Sequence, residues 1–199
     1  MRDGSCRVYS DSDVIYYSLR RTPDGRHIVA MDYDGRLRIW DFRTGLQVDW
    51  GGHDGPATLS IMPDGSGVVT GGMDRAIKYW DLSFLQAGIT QTDTLQVNAT
   101  LKFSGHTVRF QITFLDFFES CLYFQNGVRG VSILADGKWV ISVSEDLTVR
   151  LWDSQTASLQ CTMSGHQRDI WWVDASIAGH YFASGGNDAH VAIWRCDNI

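Results

Sequence analysis

The chain has 199 residues, 44% of them apolar and 12% aromatic, which is enough for a packed core in one domain or most of one. A formal net charge of −6 disfavours direct contact with nucleic-acid phosphates or an anionic membrane surface. No apolar run reaches the roughly 18 residues that a membrane-spanning helix needs. Cys6, Cys121, Cys161 and Cys196 form no C-x-x-C pair and have no zinc-like spacing with a His. Reduced thiols in a cytosolic or nuclear protein are therefore expected, with no metal and no cofactor. Asn98-Ala99-Thr100 matches the glycosylation acceptor pattern and, with no secretory signal before it, reads as chance.

In chain order, four segments align with one another: DGRHIVAMDYDGRLRIWD from Asp24, DGSGVVTGGMDRAIKYWD from Asp64, DGKWVISVSEDLTVRLWD from Asp136 and AGHYFASGGNDAHVAIWR from Ala178. Each places an Asp six residues before a Trp: Asp34 and Trp40, Asp74 and Trp80, Asp146 and Trp152, Asp188 and Trp194. Within a segment, apolar and polar residues alternate on either side of a Gly- or Asp-rich turn. That period of two predicts a strand, a turn and a second strand. Gly and Asp-Gly pairs mark the turns, and no helix of ordinary length fits. Gly-His pairs precede three segments, at His53, His106 and His166.

The spacing exposes an irregularity in the third segment. From His166 to Ser184 is 18 residues and from His53 to Thr70 is 17, but from His106 to Ser142 is 36. The excess of 18 maps onto residues 108–125, VRFQITFLDFFESCLYFQ. Excising it restores an ordinary repeat. This Phe-rich stretch is a functional lid or docking loop, or translated non-coding sequence such as a short retained intron. The second reading fits its ends better, since Val codons begin GT and Phe-Gln can be encoded by TTYCAG. Transcript sequencing decides, because a message that always carries these codons restores the lid. Residues 83–100 read as an exposed polar linker.

The recurring Gly-His…Trp-Asp pattern, with a period of about 40 residues, resembles the WD-repeat β-propellers. The resemblance covers nearly the whole chain, with repeats at about 10–45, 52–83, 104–154 and 164–199. It implies an all-β fold of four recognisable blades, an incomplete, C-terminal part of a seven-bladed ring or a shortened gene model, with a four-bladed ring or an assembly of two arcs as the alternative. It also implies a buried hydrogen-bonded tetrad in three repeats: His53, Thr70, Asp74 and Trp80; His106, Ser142, Asp146 and Trp152; His166, Ser184, Asp188 and Trp194. Such a chain satisfies its own buried polar groups. Recurrence in three repeats argues for structure over a Ser-His-Asp active site, which would occur once. The first repeat has Ala30 in place of Ser or Thr and no Gly-His, so its network is incomplete. The chain stops just after the third strand of its last repeat, so an outer strand is expected from elsewhere. Residues 6–10, CRVYS, could form one.

In this family two positions per repeat line the narrow top face. They fall here on Tyr17 and Tyr33, Ala57 and Met73, Arg129 and Glu145, Trp171 and Asn187. The order MDRAIKYWDL, polar linker, Gly-His, WDSQTASLQCTMSGHQRDI and terminal IW repeat is similar to the last blades of fungal Tup/Groucho-type transcriptional corepressors. That similarity implies a non-catalytic scaffold in the nucleus, working with DNA-binding repressors, histones or corepressor subunits. An adaptor in a ubiquitin ligase, or a G-protein-β-like signalling scaffold, is the alternative.

Overall fold

The computed structural model describes residues 14–45, 47–87, 101–103, 127–179 and 181–196. His106, residues 6–10 and 108–125, and most of the predicted linker (88–100) lie outside them. The described strands form four antiparallel sheets. Blade 1 contains β1 (Tyr16–Arg21), β2 (His27–Asp32), β3 (Leu37–Asp41) and β4 (Gln47–Trp50). Blade 2 contains β5 (Ala57–Ile61), β6 (Gly67–Gly72), β7 (Ile77–Asp81) and β8 (Leu101–Phe103). Blade 3 contains β9 (Val128–Ile133), β10 (Trp139–Ser144), β11 (Thr148–Asp153) and β12 (Leu159–Ser164). Blade 4 contains β13 (Ile170–Ala175), β14 (Tyr181–Gly186) and β15 (Val191–Arg195).

The blades stack in chain order, and three apolar cores lie between consecutive blades. Val29, Met31, Leu37 and Ile39 of blade 1 meet Leu59, Val68 and Trp80 of blade 2. Trp152 of blade 3 packs towards blade 2 in the same way, and Trp194 of blade 4 towards blade 3. Inner blades are covered on both faces, so β6 and β10 are buried along their whole length, whereas outermost β12 alternates half-buried and exposed. On blade 4 the face turned from blade 3 leaves Trp172, Val191 and Ile193 exposed. The start of the predicted linker departs from expectation. Phe84–Ala87 forms one helical turn, α1, with Leu85 buried and Phe84 packed edge-on against Trp50 at 5.0 Å. Their apolar side chains cover the seam between blades 1 and 2.

One feature of register sets the geometry of the upper rim. Three of the four innermost strands carry a β-bulge. In β1 the pairing passes from Tyr16↔Asp32 to Ser18↔Met31, leaving Tyr17 unpaired. In β9 it passes from Val128↔Ser144 to Gly130↔Val143, leaving Arg129, and in β13 from Ile170↔Gly186 to Trp172↔Gly185, leaving Trp171. Strand β5 has no such step, since Ala57↔Gly72 is followed directly by Thr58↔Gly71. An extra residue in one strand re-aims its side chain. This missing residue is also why the His53–Thr70 interval is one shorter than His166–Ser184.

Candidate functional site

Two assemblies result: buried polar chains inside the blades, and a set of side chains raised on one rim by the bulges. In blade 2 the Trp80 indole N–H donates to Thr70 Oγ1 at 2.8 Å. Thr70 Oγ1 lies 2.7 Å from His53 Nε2, and His53 Nδ1 lies 2.6 Å from Asp74 Oδ1. One assignment satisfies every member: the Thr70 hydroxyl donates to Nε2, and Nδ1–H donates to the carboxylate. Blade 4 repeats the chain through Trp194, Ser184, His166 and Asp188, each link at 2.8 Å. In blade 3 the Trp152 indole donates to Ser142 at 2.8 Å, while Asp146 accepts from Thr148 and from Arg150 Nη2 at 2.8 Å.

A His, hydroxyl and Asp in line resemble a hydrolytic triad, but the hydroxyls cannot meet a substrate. Thr70 and Ser142 are fully buried, and each hydroxyl oxygen already accepts a Trp N–H. Burial works to raise the Asp74 pKa, yet the His53 hydrogen bond, the His53 ring and the Lys78 ammonium hold it well below the usual carboxylate range. Asp188 is likewise held low, against burial, by the backbone N–H groups of Gln167 and His190 and by His166.

Blade 1 is built differently. Asp34 sits in the expected turn but is exposed. The buried carboxylate is Asp32, which accepts the Arg36 backbone N–H at 2.8 Å and Arg38 Nε at 3.1 Å. Asp32 is in register with Gly72, where a Cβ would lie 2.5 Å from the His53 ring. A side chain at that position and a His beside it exclude each other. With Ala30 offering no hydroxyl, the Trp40 indole instead donates to Gln47 Oε1 at 3.0 Å. Sequence reasoning missed the cation partners of these acids. The available signal was a basic residue two positions before the Trp in three repeats: Arg38, Lys78 and Arg150.

The rim is the second assembly. Tyr33, Met73, Glu145 and Asn187 each donate a backbone N–H to the residue preceding an innermost strand: Ile15, Pro56, Gly127 and Asp169. Each blade thereby sets its pre-turn residue beside its first strand. Tyr17, Tyr33, Trp171 and Asn187 are exposed, and Arg129, Glu145 and Met73 are half-buried. Ala57 departs from expectation: at 1% exposure it belongs to the core between blades 1 and 2. Without a bulge, it takes the register of buried Val128 and Ile170. Met73 leans over Gly127, whose Cβ would lie 2.7 Å from the Met73 sulfur.

Arg129 donates from Nε to Glu145 Oε1 at 2.7 Å and from Nη2 to the same oxygen. Burial works against the guanidinium charge, but Glu145 and the Tyr17 phenol together raise its pKa.

The family described as "WD domain, G-beta repeat" matches the chain at residues 6–41, 46–81, 118–153 and 157–195. The third match begins inside the stretch read above as an insert. The chain is 24% identical over 195 residues to Protein groucho of Drosophila melanogaster, covering 90% of this chain and 26% of that protein. It is 27% identical over 236 residues to a guanine nucleotide-binding protein subunit beta of Solanum tuberosum, covering 95% and 58%. Protein HIR1 of Chaetomium globosum is 23% identical, with 92% of this chain and 17% of that protein covered. The chain thus spans well under two thirds of the length of each. Among solved structures, one titled "Structure of U3-55K" superposes with a TM-score of 0.73 at 21% identity, over 96% of this chain and 51% of that one, which speaks to the fold alone. With four repeats matched and their β-sheet blades in place, the chain belongs to the WD-repeat family and has its β-propeller fold.

Proposed function

We propose that the chain is a non-catalytic protein-interaction scaffold whose binding surface is the rim raised by the bulges. One observation carries this reading: three inner strands spend an extra residue to turn Tyr17, Arg129 and Trp171 outward, and aromatic residues and Arg are the types that dominate interface energetics. The family supports it, since WD-repeat proteins are scaffolds for protein contact. Partner-binding roles are assigned to Tyr17, Tyr33, Met73, Arg129, Glu145, Trp171 and Asn187. The tetrads serve structure, because their hydroxyls are sealed inside the blades.

Within that class, a Tup/Groucho-type corepressor acting in the nucleus is the finer reading, supported by the likeness to Protein groucho. Repressors, histones or corepressor subunits are its partners, and nucleic acid is not contacted directly. A G-protein-β-like scaffold is the second reading, supported by the longer share matched in the Solanum subunit. Tethering the chain to a heterologous DNA-binding domain upstream of a reporter separates them. Repression of several fold is expected. An unchanged reporter, with the fusion present in the nucleus, removes the corepressor reading and leaves the scaffold.

A further inference from the structure

Blades 1 and 4 present the two complementary halves of a blade seam. In each seam within the chain, the innermost strand of the later blade packs on the first two strands of the earlier one. At one level of that strand stand Leu59 of β5 and Val131 of β9, both buried. In β1 the same level, opposite Ala30 as Leu59 is opposite Thr70, is held by Leu19, which is 53% exposed. The earlier blade adds its third strand to the seam: Leu37 and Ile39 in blade 1, Val149 and Leu151 in blade 3, all fully buried. In blade 4 those places belong to Val191 and Ile193, paired with Gly185 and Ala183 as Val149 and Leu151 are with Val143 and Ile141. They are 76% and 74% exposed, beside Trp172 of β13 at 72%. Closure of blade 4 on blade 1 of the same chain would bury Leu19 and Ile193, and neither is buried. Ala30 and Trp40, further out on that side of blade 1, are already covered, so β1 is the strand that blade 1 offers.

Two hydrogen bonds between blades show how a seam aligns. The Leu59 backbone N–H donates to Ser18 Oγ at 3.3 Å, and the Ala175 backbone N–H donates to Ser132 Oγ at 3.2 Å. Strand register gives the counterparts of these four residues at the open faces. Trp172 stands where Ser18 does, and Leu19 where Leu59 does. Asp174 stands where Ser132 does, and Arg21 where Ala175 does. Setting blade 1 of a second copy on blade 4 in this alignment therefore brings an indole against a leucine and a carboxylate against a guanidinium. All four side chains are exposed in the single chain. A two-fold contact of blade 4 on blade 4 has no such match, because Leu19 and Arg21 lie on blade 1.

We infer that the partner of the open blade 4 face is a second copy of this chain, seated through β1, with Trp172 on Leu19 and Asp174 on Arg21. A head-to-tail contact of this kind makes a ring where its rotation closes. Closed propellers have about four to eight blades, and two copies of this chain supply eight, so the assembly is a dimer joined by two identical seams. The inference does not depend on the rim being a binding surface.

The test is sedimentation velocity on the full chain over a hundredfold range of concentration, up to about 100 μM. A species of twice the chain mass is expected. Leu19→Asp and Ile193→Asp should each weaken it by at least about tenfold, with the circular dichroism spectrum unchanged, since both residues are exposed in the single chain. Mixing those two variants should give a one-to-one complex tighter than either variant alone, because one of its seams carries neither change. Arg21→Asp and Asp174→Arg should each weaken the dimer, and the double variant should recover most of the loss. These two positions keep the test open even where an Asp at 19 or 193 disturbs the fold. A single chain at every concentration overturns the inference. So does a dimer lost in Ile193→Asp but kept in Leu19→Asp, which belongs to a contact of blade 4 on itself, and so does a double charge variant no tighter than the single ones.

Discussion

Arg38 donates from Nε to Asp32 Oδ2 at 3.1 Å, and this buried pair holds in blade 1 the place that a His-Asp contact holds in blades 2 and 4. Asp34, the residue that the sequence pattern singles out, is not part of it. Asp32→Ala takes one carboxylate from the buried Arg38 guanidinium and leaves Asp49 at 3.4 Å. Removing one partner of a buried pair costs about 3–5 kcal/mol, and the remaining Asp49 contact favours the lower end. Asp34→Ala should fall within about 0.5 kcal/mol of the unmodified chain, as exposed substitutions do. Urea denaturation of the two variants checks this, and equal midpoints would refute the exchange of roles.

In blade 2 the Thr70 hydroxyl is the shared hub of the polar chain. Thr70→Val keeps the shape and deletes the hydroxyl, so the Trp80 N–H and His53 Nε2 lose their partner together. Each buried group left unsatisfied costs about 1–3 kcal/mol. The change should therefore destabilise by at least about 2 kcal/mol by calorimetry. A loss below that of Ile61→Val would show that the chain contributes nothing.

Acid should weaken blade 1 through His27. The ring is buried, and neither nitrogen has a hydrogen-bond partner. Burial lowers its pKa, outweighing Asp24 and Asp41, whose carboxylates stand 3.6 and 3.9 Å away, while Arg26 adds to the lowering. The folded chain thus prefers the neutral imidazole. That stability is present above the unfolded pKa of about 6.5 and is lost as pH falls below it. His27→Gln should flatten the fall in melting temperature between pH 7.5 and 5.5, and parallel curves would count against the assignment. Asp74, held low, loses its contribution only at lower pH, below the ordinary carboxylate value of about 3.9.

The rim separates binding from folding at neighbouring positions. Tyr17→Ala and Trp171→Ala remove exposed rings, so melting should stay within about 0.5 kcal/mol while capture of a true partner weakens by at least about 2 kcal/mol. Ala57→Arg forces a charge into the core between blades 1 and 2 and should unfold the chain instead. If both aromatic variants capture partners normally, or fail only by unfolding, the rim is not the binding surface.

Much of this was legible in the sequence because it depends on local order. Alternation over residues 27–40 and 139–152 dictates paired strands, since successive side chains point to opposite faces. The recurrence of Asp six residues before Trp fixed where each turn falls. The His-Ser/Thr-Asp-Trp sets of blades 2 and 4 were likewise readable, because each repeat supplies all its own members. The short helical turn at Phe84–Ala87 was not, since its apolar residues gain from a seam between blades that no local pattern announces.

What the sequence by itself determined is the repeat, its strands and the His, hydroxyl, Asp and Trp members of the buried chains in blades 2 and 4, all set by periods and spacings within one blade. The tertiary structure alone decided which residues stand on the rim. A single missing residue in β5 drops Ala57 into the core, whereas its counterparts Tyr17, Arg129 and Trp171 are lifted out by bulges, and pairing register is not visible without the partner strand. It also decided that Asp32 replaces Asp34 in the interior. Both outcomes depend on how neighbouring strands pair, which the order of residues within one strand does not show.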